Sequence, residues 1–243
     1  MERRGDYGYD APYALIAFAA IGAAAVIGAI LAWRTGSNLA RTLAFYSAFF
    51  LGNAFSFFYT TRWGKFQAWN TILDDLQIRG DERVLDMGCG RGAVLTAVAR
   101  RLTSGRATGI DLWSTTDQSG NARAVTLRNA TLEGVQDRVD IETGDMRKLP
   151  FPDGSFDLVV SSLAIHNIRG NADRSRAIAE AWRVLKPGGR LAIADIRASA
   201  RYATTLRQLG AAGVARRGLG WRFWYGNPLA GTSLVTASKP ERR

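Results

Sequence analysis

The chain has 243 residues, longer than a typical single domain, and therefore predicts one globular domain of ordinary size plus an additional segment. It contains one cysteine and one histidine, which excludes an intrachain disulfide and leaves no usual ligand set for zinc, so we expect no bound metal. The net charge of +11 is concentrated at the C-terminal end: residues 197–243 carry nine Lys or Arg against one Glu, whereas residues 67–196 are balanced.

Two apolar runs occupy the N-terminal part of the chain. No charged residue occurs from Ala11 to Trp33 or from Thr42 to Thr61, and Arg34 and Arg41 flank the short connection. Each run is long enough to cross a bilayer core, which takes about 20 residues as a helix. The sequence therefore predicts a membrane anchor in residues 1–61, formed by a hairpin of two apolar transmembrane helices, and a globular domain in residues 62–243.

Other interpretations of these runs stay open. The first run could be a signal peptide, although its apolar stretch is longer than usual and a second run follows almost at once. The second run is interrupted by Ser47, Asn53 and Ser56, so its phenylalanines could instead lie flat in the membrane interface. A spanning hairpin would leave the N-terminus and the globular domain on the same side of the membrane.

The most informative stretch is Arg83–Gly92, RVLDMGCGRG, where an apolar strand ends in an acid and opens into alternating glycines. Residues 92–102 then have helical spacing. Such a strand, glycine loop and helix bind nucleotide-like ligands at the carboxyl edge of a parallel sheet. The spacing is G-x-G-x-G rather than the G-x-G-x-x-G of dinucleotide sites, and Asp86 disfavours a pyrophosphate while tolerating an ammonium or sulfonium group.

Further strands follow, several of which end in polar residues. We predict strands in 107–111, in VDIETGDM at 139–146, at 156–160 after a Pro-Asp-Gly turn, and at 191–195 after LKPGGR. The aromatic run 221–225 is a candidate sixth strand, and 233–238 a seventh. An amphipathic helix is expected in 61–76, just before the first strand.

Five blocks in this order and spacing resemble the class I S-adenosylmethionine-dependent methyltransferases, in the branch related to quinone biosynthesis, over roughly Trp69 to Pro240. The resemblance implies an α/β fold, a Rossmann-like seven-stranded methyltransferase sheet with helices on both faces. It implies an enzyme whose cofactor is S-adenosylmethionine. The helix in 61–76 would then pack over the cofactor as a lid.

The resemblance also implies roles for individual residues. Asp111 would hold the ribose hydroxyls, and one carboxylate can indeed accept from both hydroxyls of a diol. Asp145 would lie near the adenine amino group, with Met146 against the ring. The expected cofactor-binding residues are Asp86, Gly88, Cys89, Gly90, Gly92, Asp111, Leu112, Asp145, Met146 and Ser161.

His166 is the candidate catalytic residue, because the segment after the fourth strand lies beside the transferred methyl group in the family. A histidine could take the proton of a phenol or hydroxyl acceptor, whereas a carbon or amine acceptor would use it for orientation. The alternative is a helix-terminal histidine bonded to backbone. Cys89 fits the loop as a small residue, and we do not expect it to be a nucleophile.

The C-terminal part interleaves basic and aromatic residues in Trp221-Arg222-Phe223-Trp224-Tyr225. This pattern suits an anionic membrane surface, nucleic acid or an ordinary solvated basic surface. No RNA-binding motif is present, so we expect no nucleic-acid partner.

The sequence as a whole predicts a membrane-anchored methyltransferase, its catalytic domain facing the cytoplasm, that acts on a lipophilic small molecule such as a quinone precursor, a terpenoid or a lipid. A soluble acceptor and a noncatalytic membrane scaffold with the same fold remain alternatives.

Overall fold

A seven-stranded mixed sheet forms the centre of the computed structural model, which describes residues 3–115 and 118–241. The strand order is β3-β2-β1-β4-β5-β7-β6, with β1 to β5 parallel and β7 antiparallel to both of its neighbours. The strands are β1 Arg83–Met87, β2 Arg106–Asp111, β3 Val139–Thr143, β4 Phe156–Ser162, β5 Leu185–Asp195, β6 Ala212–Gly218 and β7 Ser233–Ser238.

Helices cover both faces of this sheet, as predicted. Alternate residues of each central strand point to opposite faces, so that Val84 belongs to one apolar core and Leu85 to the other. The first core is closed by α3 Lys65–Asp75, α4 Ala93–Ala99 and α5 Arg123–Leu132. The second is closed by α6 Asn171–Val184 and α7 Ser199–Gln208.

The prediction of the sixth strand was wrong. Residues 221–223 form a short 3₁₀ turn, and the sixth strand is β6, which precedes them. Strand β6 lies at the sheet edge and is largely exposed, with small and basic residues such as Arg216 and Arg217, so it lacks the apolar alternation that identifies a strand. The third strand also ends earlier than predicted, at Thr143, and β5 begins earlier, at Leu185.

The N-terminal hairpin consists of α1 Pro12–Arg34 and α2 Leu39–Tyr59. The helices pack closely because α1 presents glycine: a Cβ on Gly22 would come within 2.7 Å of the Leu51 side chain. Phe18 and Phe50 add a ring contact. Helix α2 continues through a π turn at Thr60–Gly64 into α3, so the hairpin is joined to the globular domain by continuous helix.

Among the described residues, one helix is long and apolar enough to cross a membrane, namely α1. Helix α2 is long enough but not apolar enough to qualify. The sequence predicted two spans, and the structure has one candidate span by length and composition. The reason lies in Arg41 and in the polar residues Ser47, Asn53 and Ser56 within α2. A signal sequence near the N-terminus would also be long and apolar. Length and composition therefore make α1 a candidate membrane span and no more.

Residues 3–11 precede α1 and lie across the globular domain; we call them the N-terminal strap. The backbone N–H groups of Arg4 and Gly5 donate to Glu133 Oε1, and Asp6 exchanges two hydrogen bonds with the Asn129 side chain. Tyr9 exchanges hydrogen bonds with Ser119. The strap is therefore fixed to α5 and to the loop after β2, although the sequence grouped it with the anchor.

Candidate active site

A cavity of about 870 Å³ lies at the carboxyl edge of the parallel strands. Its volume falls within the ~300–1,000 Å³ of small-molecule sites, towards the upper end. Nine of the eleven site residues predicted from the sequence line it: Asp86, Gly88, Cys89, Gly90, Asp111, Leu112, Asp145, Met146 and His166. The cavity also receives residues from the strap, from α2 and from α3.

The loop after β1 forms the floor of this cavity. Gly88 has φ +71°, and a Cβ there would overlap the Cβ of Ala164, so glycine alone meets both the backbone and the space requirement. The N–H of Gly88 donates to Ile110 O at 2.8 Å, which ties the loop to β2. The conformation is therefore fixed by sheet contacts before any ligand arrives.

Asp86 is a buried carboxylate that lies near the Leu95 backbone N–H but has no hydrogen bond of good geometry to either oxygen among the described residues. Burial, and secondarily the nearby Asp111 carboxylate, raises the pKa of Asp86 to about 8. A buried unpaired carboxylate is costly unless a cation approaches it. This side of the cavity is thus complementary to a positively charged ligand group.

Asp111 ends β2 and is oriented by the adjacent loops. Its Oδ2 accepts from Gly90 N at 2.9 Å, and its Oδ1 accepts from Trp113 N at 2.6 Å and from Asn121 Nδ2 at 3.1 Å. Asn121 also lines the cavity, and its own Oδ1 has no partner among the described residues. Acceptor oxygens are therefore available side by side at this strand end.

Asp145 is held in a bidentate pair with Arg147, with Nε–Oδ1 at 3.0 Å and Nη2–Oδ2 at 2.6 Å. The hydrogen bonds from the Arg147 guanidinium lower the pKa of this carboxyl. Arg147 also bonds Asp173 at the start of α6. Asp145 consequently lies in the cavity wall as part of a charged network that the sequence did not indicate.

Two predicted residues do not line the cavity. Gly92 caps the start of α4, and a Cβ there would meet Thr126 rather than open space. The buried hydroxyl of Ser161 donates to Met87 O at 2.7 Å, and its neighbour Ser162 lines the cavity instead. Cys89 does line it, but burial raises the pKa of its thiol, which disfavours the thiolate that a nucleophile requires.

His166 is held by Asp195, a residue that the sequence analysis did not select. His166 Nδ1 lies 2.6 Å from Asp195 Oδ1, and the His166 backbone N–H donates to Asp195 Oδ2 at 3.0 Å. The Tyr202 hydroxyl also donates to Oδ2, and burial raises the pKa of that phenol. Engagement of Nδ1 leaves Nε2 as the imidazole nitrogen available to the cavity.

Apolar side chains from both ends of the chain line another part of the cavity. Phe57 from α2, Trp69 from α3 and Tyr225 from the loop after β6 line the cavity together with Ile196. Trp69 Nε1 donates to Ser162 Oγ at 2.8 Å, so its ring is fixed across the end of β4. An apolar acceptor would therefore meet aromatic side chains next to His166.

The strap closes another side of the cavity through Asp10. Its Oδ2 lies 2.7 Å from Lys65 Nζ and accepts from the Tyr225 hydroxyl at 2.8 Å. Burial, with the Asp10 charge, raises the pKa of Tyr225. This buried cluster joins the strap, helix α3 and the loop after β6 beside the site.

Residues 85–193 match the methyltransferase-domain family. This segment, slightly less than half of the chain, is similar to a methyltransferase domain. The match supports the predicted class of enzyme and, through that class, the predicted cofactor, S-adenosylmethionine. The seven-stranded sheet agrees with this family match.

Two similar proteins carry out different methylations by name. The 27-O-demethylrifamycin SV methyltransferase of Amycolatopsis mediterranei (strain S699) is 38% identical over 122 residues, which cover 49% of this chain and 40% of that protein. The ubiquinone/menaquinone biosynthesis C-methyltransferase UbiE of Dinoroseobacter shibae is 33% identical over 133 residues, covering 54% and 50%. The chain spans 33% to 57% of the length of the curated relatives it matches.

Among solved structures, the [4+2]-cyclase SpnF superposes with a TM-score of 0.61 at 22% identity, covering 73% of this chain and 82% of that one. A likeness at this identity establishes the fold. It does not identify the acceptor, because one fold carries many reactions.

Proposed function

We propose that this chain is a membrane-anchored S-adenosylmethionine-dependent methyltransferase that methylates a lipophilic small molecule. The main support for the proposal is the set of residues that line one cavity. It joins the unpaired carboxylate of Asp86, the acceptors at Asp111, the His166–Asp195 pair and Phe57 of the apolar hairpin. Cofactor, acceptor and anchor would therefore meet at a single site.

The cofactor half of the cavity fits a ligand of this chemistry. S-adenosylmethionine would supply an electrophilic methyl group on a sulfonium. Asp86 would bind the positive end of the ligand, since its buried carboxylate lacks a partner. Asp111 would accept from the two ribose hydroxyls, with its orientation already fixed by Gly90 and Trp113. We further propose that Leu112, Met146 and Asp145 border the adenine.

The acceptor half would work chiefly by alignment in a dry pocket. Phe57, Trp69 and Tyr225 would exclude water and bind an apolar ring or chain. His166 Nε2 would take the proton from a phenol or hydroxyl acceptor, while Asp195 holds Nδ1 and stabilises the resulting imidazolium. For a carbon or amine acceptor the same imidazole would orient the acceptor.

The position of the strap bears on the membrane arrangement. Residues 3–11 precede α1 and the domain follows α2, yet the strap is bonded to the domain through Asp6–Arg91 and Asp10–Lys65. Both ends of the hairpin are therefore on one side of any membrane. If α1 crosses the bilayer, α2 must cross back, even though its polar residues make it a weak span on its own. We propose that residues 1–61 anchor the chain through the α1–α2 hairpin, with the strap and the domain 62–243 in the cytoplasm.

The first experiment is calorimetric titration of full-length protein, in detergent, with S-adenosylmethionine and S-adenosylhomocysteine, and with NADH as the control. Micromolar binding of the first two alone would support the cofactor assignment. Incubation with methyl-labelled cofactor and with lipid and aqueous extracts would follow. Label that appears only in aqueous products would reject the lipophilic acceptor, and binding without any transfer would favour the noncatalytic scaffold.

The hairpin is tested with Ser37→Cys at its exposed tip. Protein reconstituted in sealed vesicles, with the domain outside, is treated with a membrane-impermeant maleimide. Protection until the vesicles are opened would support a spanning hairpin, and immediate labelling would reject it. The only native cysteine, Cys89, is buried, so unsubstituted protein serves as the labelling blank.

A further inference from the structure

The loop that follows β6 packs on the anchor as well as on the apolar core of the domain. Asn227 Nδ2 donates to Asn53 Oδ1 at 2.8 Å, and Thr60 Oγ1 donates to Trp224 O at 2.5 Å. Tyr225 also contacts the Phe57 ring edge-on, with ring centroids 5.0 Å apart. We call residues 221–230 the anchor loop, because it lies along α2 from Thr60 up to Asn53.

This packing limits how far the hairpin extends freely. Residues 39–52 are the part of α2 beyond the anchor loop, and at 1.5 Å per residue they rise about 21 Å. The hydrocarbon core of a bilayer is about 30 Å thick. A hairpin that crosses it must therefore carry the anchor loop into the near leaflet.

The side chains of the anchor loop suit that position. Leu229 is 97% exposed and Trp221 is 57% exposed, and no charged residue occurs from Phe223 to Ser238. Trp221 stacks on Tyr59 with centroids 5.1 Å apart, next to Trp63, which is also exposed. Tryptophan and tyrosine rings favour the membrane interface. The apolar surface of α1 and α2 thus continues onto the loop.

Several polar groups of the anchor loop are paired, as an apolar surrounding favours. Tyr225 N donates to Ala230 O, and Ala230 N donates to Asn227 O. The Asn227 Oδ1 accepts from Leu229 N, while its Nδ2 reaches Asn53. The same contacts explain why the polar residue Asn53 is buried within an apolar helix. Its Oδ1 accepts from Asn227, and its Nδ2 donates to Phe49 O.

Basic residues border the same surface. Arg222 lies over the Trp221 ring at 5.6 Å, and Arg216 and Arg217 are exposed on the edge strand that leads into the loop. Arginines at this depth would meet lipid headgroups, and anionic headgroups most favourably. The apolar tip of the loop suits the acyl chains, the neighbouring aromatic rings suit the interface, and the basic border suits the headgroups. Together they match the order of layers across one leaflet.

We propose that the anchor loop is a second membrane-inserting element, with Leu229 in the near leaflet of an anionic bilayer and Arg222 at its headgroups. The inference rests on the proposed membrane anchor. Because Tyr225 and Phe57 also line the active-site cavity, the wall between α2 and the anchor loop is the part of the site nearest the lipid.

The test attaches an environment-sensitive fluorophore to one introduced cysteine in each of three full-length variants, in vesicles of phosphatidylcholine and phosphatidylglycerol, with the buried native Cys89 retained. Leu229→Cys reports the loop, Phe45→Cys reports the hairpin, and Asp153→Cys, in the turn before β4, reports the far edge of the domain. Phe45 and Asp153 are both exposed, so the label does not disturb the core. Quenching is compared for spin-labelled lipid and for aqueous iodide.

The proposal expects a blue-shifted Leu229 label that is quenched by lipid labelled near the headgroups and protected from iodide. The Phe45 label should be quenched by lipid labelled deep in the acyl chain, and the Asp153 label by iodide alone. If the Leu229 label follows Asp153 while the Phe45 label stays in lipid, the loop proposal is overturned and the anchor stands. If the Phe45 label also follows Asp153, the anchor and the loop proposal fail together.

Discussion

Asp195 binds His166 twice, through the backbone N–H at 3.0 Å and through Nδ1 at 2.6 Å. The carboxylate is almost fully buried at the end of β5, while His166 lies in the 3₁₀ turn after β4. Because β4 and β5 are neighbours in the sheet, both residues arrive at the same edge. The contact fixes the tautomer and direction of the imidazole more tightly than a surface histidine would allow.

We predict that His166→Gln lowers kcat by ~10²–10⁴-fold for a hydroxyl acceptor, since that is the usual contribution of a general base. Cofactor affinity should change little. Asp195→Asn should also lower kcat, but should add little in the His166→Gln background, because the two residues act as a unit. Tyr202→Phe is the matched control, as it removes one bond to Asp195 and leaves the imidazole contact. Full activity of His166→Gln would remove its role as a base.

A second prediction concerns pH and Asp86. Its pKa is about 8 in the folded protein, above the ordinary 3.8 expected on unfolding, so the folded state holds the extra proton between these values. This contribution to stability is complete below about pH 4 and is lost as the pH rises towards 8. In Asp86→Asn, the free energy of unfolding of the ligand-free protein should lack this decline. An equal decline in wild type and variant would show that Asp86 is not the group responsible.

The same carboxylate predicts proton release on cofactor binding. At about pH 6.5 a free amino group of the ligand is protonated, since its ordinary pKa is near 8. Binding of that cation beside Asp86 should then expel the Asp86 proton, measured by calorimetry in buffers of different ionisation enthalpy. Asp86→Asn should bind more weakly and release none. Methylthioadenosine, which lacks the amino-acid part, is the matched ligand control and should also release none.

The sequence identified the parts of this site that are local in the chain. The glycine loop and Asp111 follow directly from strand ends, and most of the predicted residues line one cavity. Asp195 carried the same signal, an acid after an apolar strand, but its partner is 29 residues away and only the β4–β5 pairing brings them together. The strap and the anchor loop were missed because their contacts, such as Asp10 with Tyr225, join opposite ends of the chain.

A fourth prediction concerns Asp111. Replacement by alanine removes the acceptor for the ribose and also the partner of Gly90 N, so cofactor affinity should fall by about 10²-fold or more. Asp140→Ala is the control, because Asp140 pairs with Arg106 on the surface away from the cavity. Titration of both variants with S-adenosylhomocysteine measures the difference. Equal affinities would remove the ribose assignment.

The last prediction concerns the strap. Lys65 is almost fully buried, and Asp10 supplies its ion pair, so Asp10→Asn should lower stability by ~3–5 kcal/mol by leaving a buried charge unpaired. Lys65→Met in the same chain should recover much of that loss, since the charge is then gone as well. Thermal unfolding of wild type, the two single variants and the double variant gives the coupling energy between Asp10 and Lys65. Because the strap closes one side of the cavity, both proteins with Asp10→Asn should also release bound S-adenosylhomocysteine faster than wild type in stopped-flow displacement. Recovery of stability with an unchanged release rate would limit the ion pair to a structural role and leave the strap without influence on cofactor exchange.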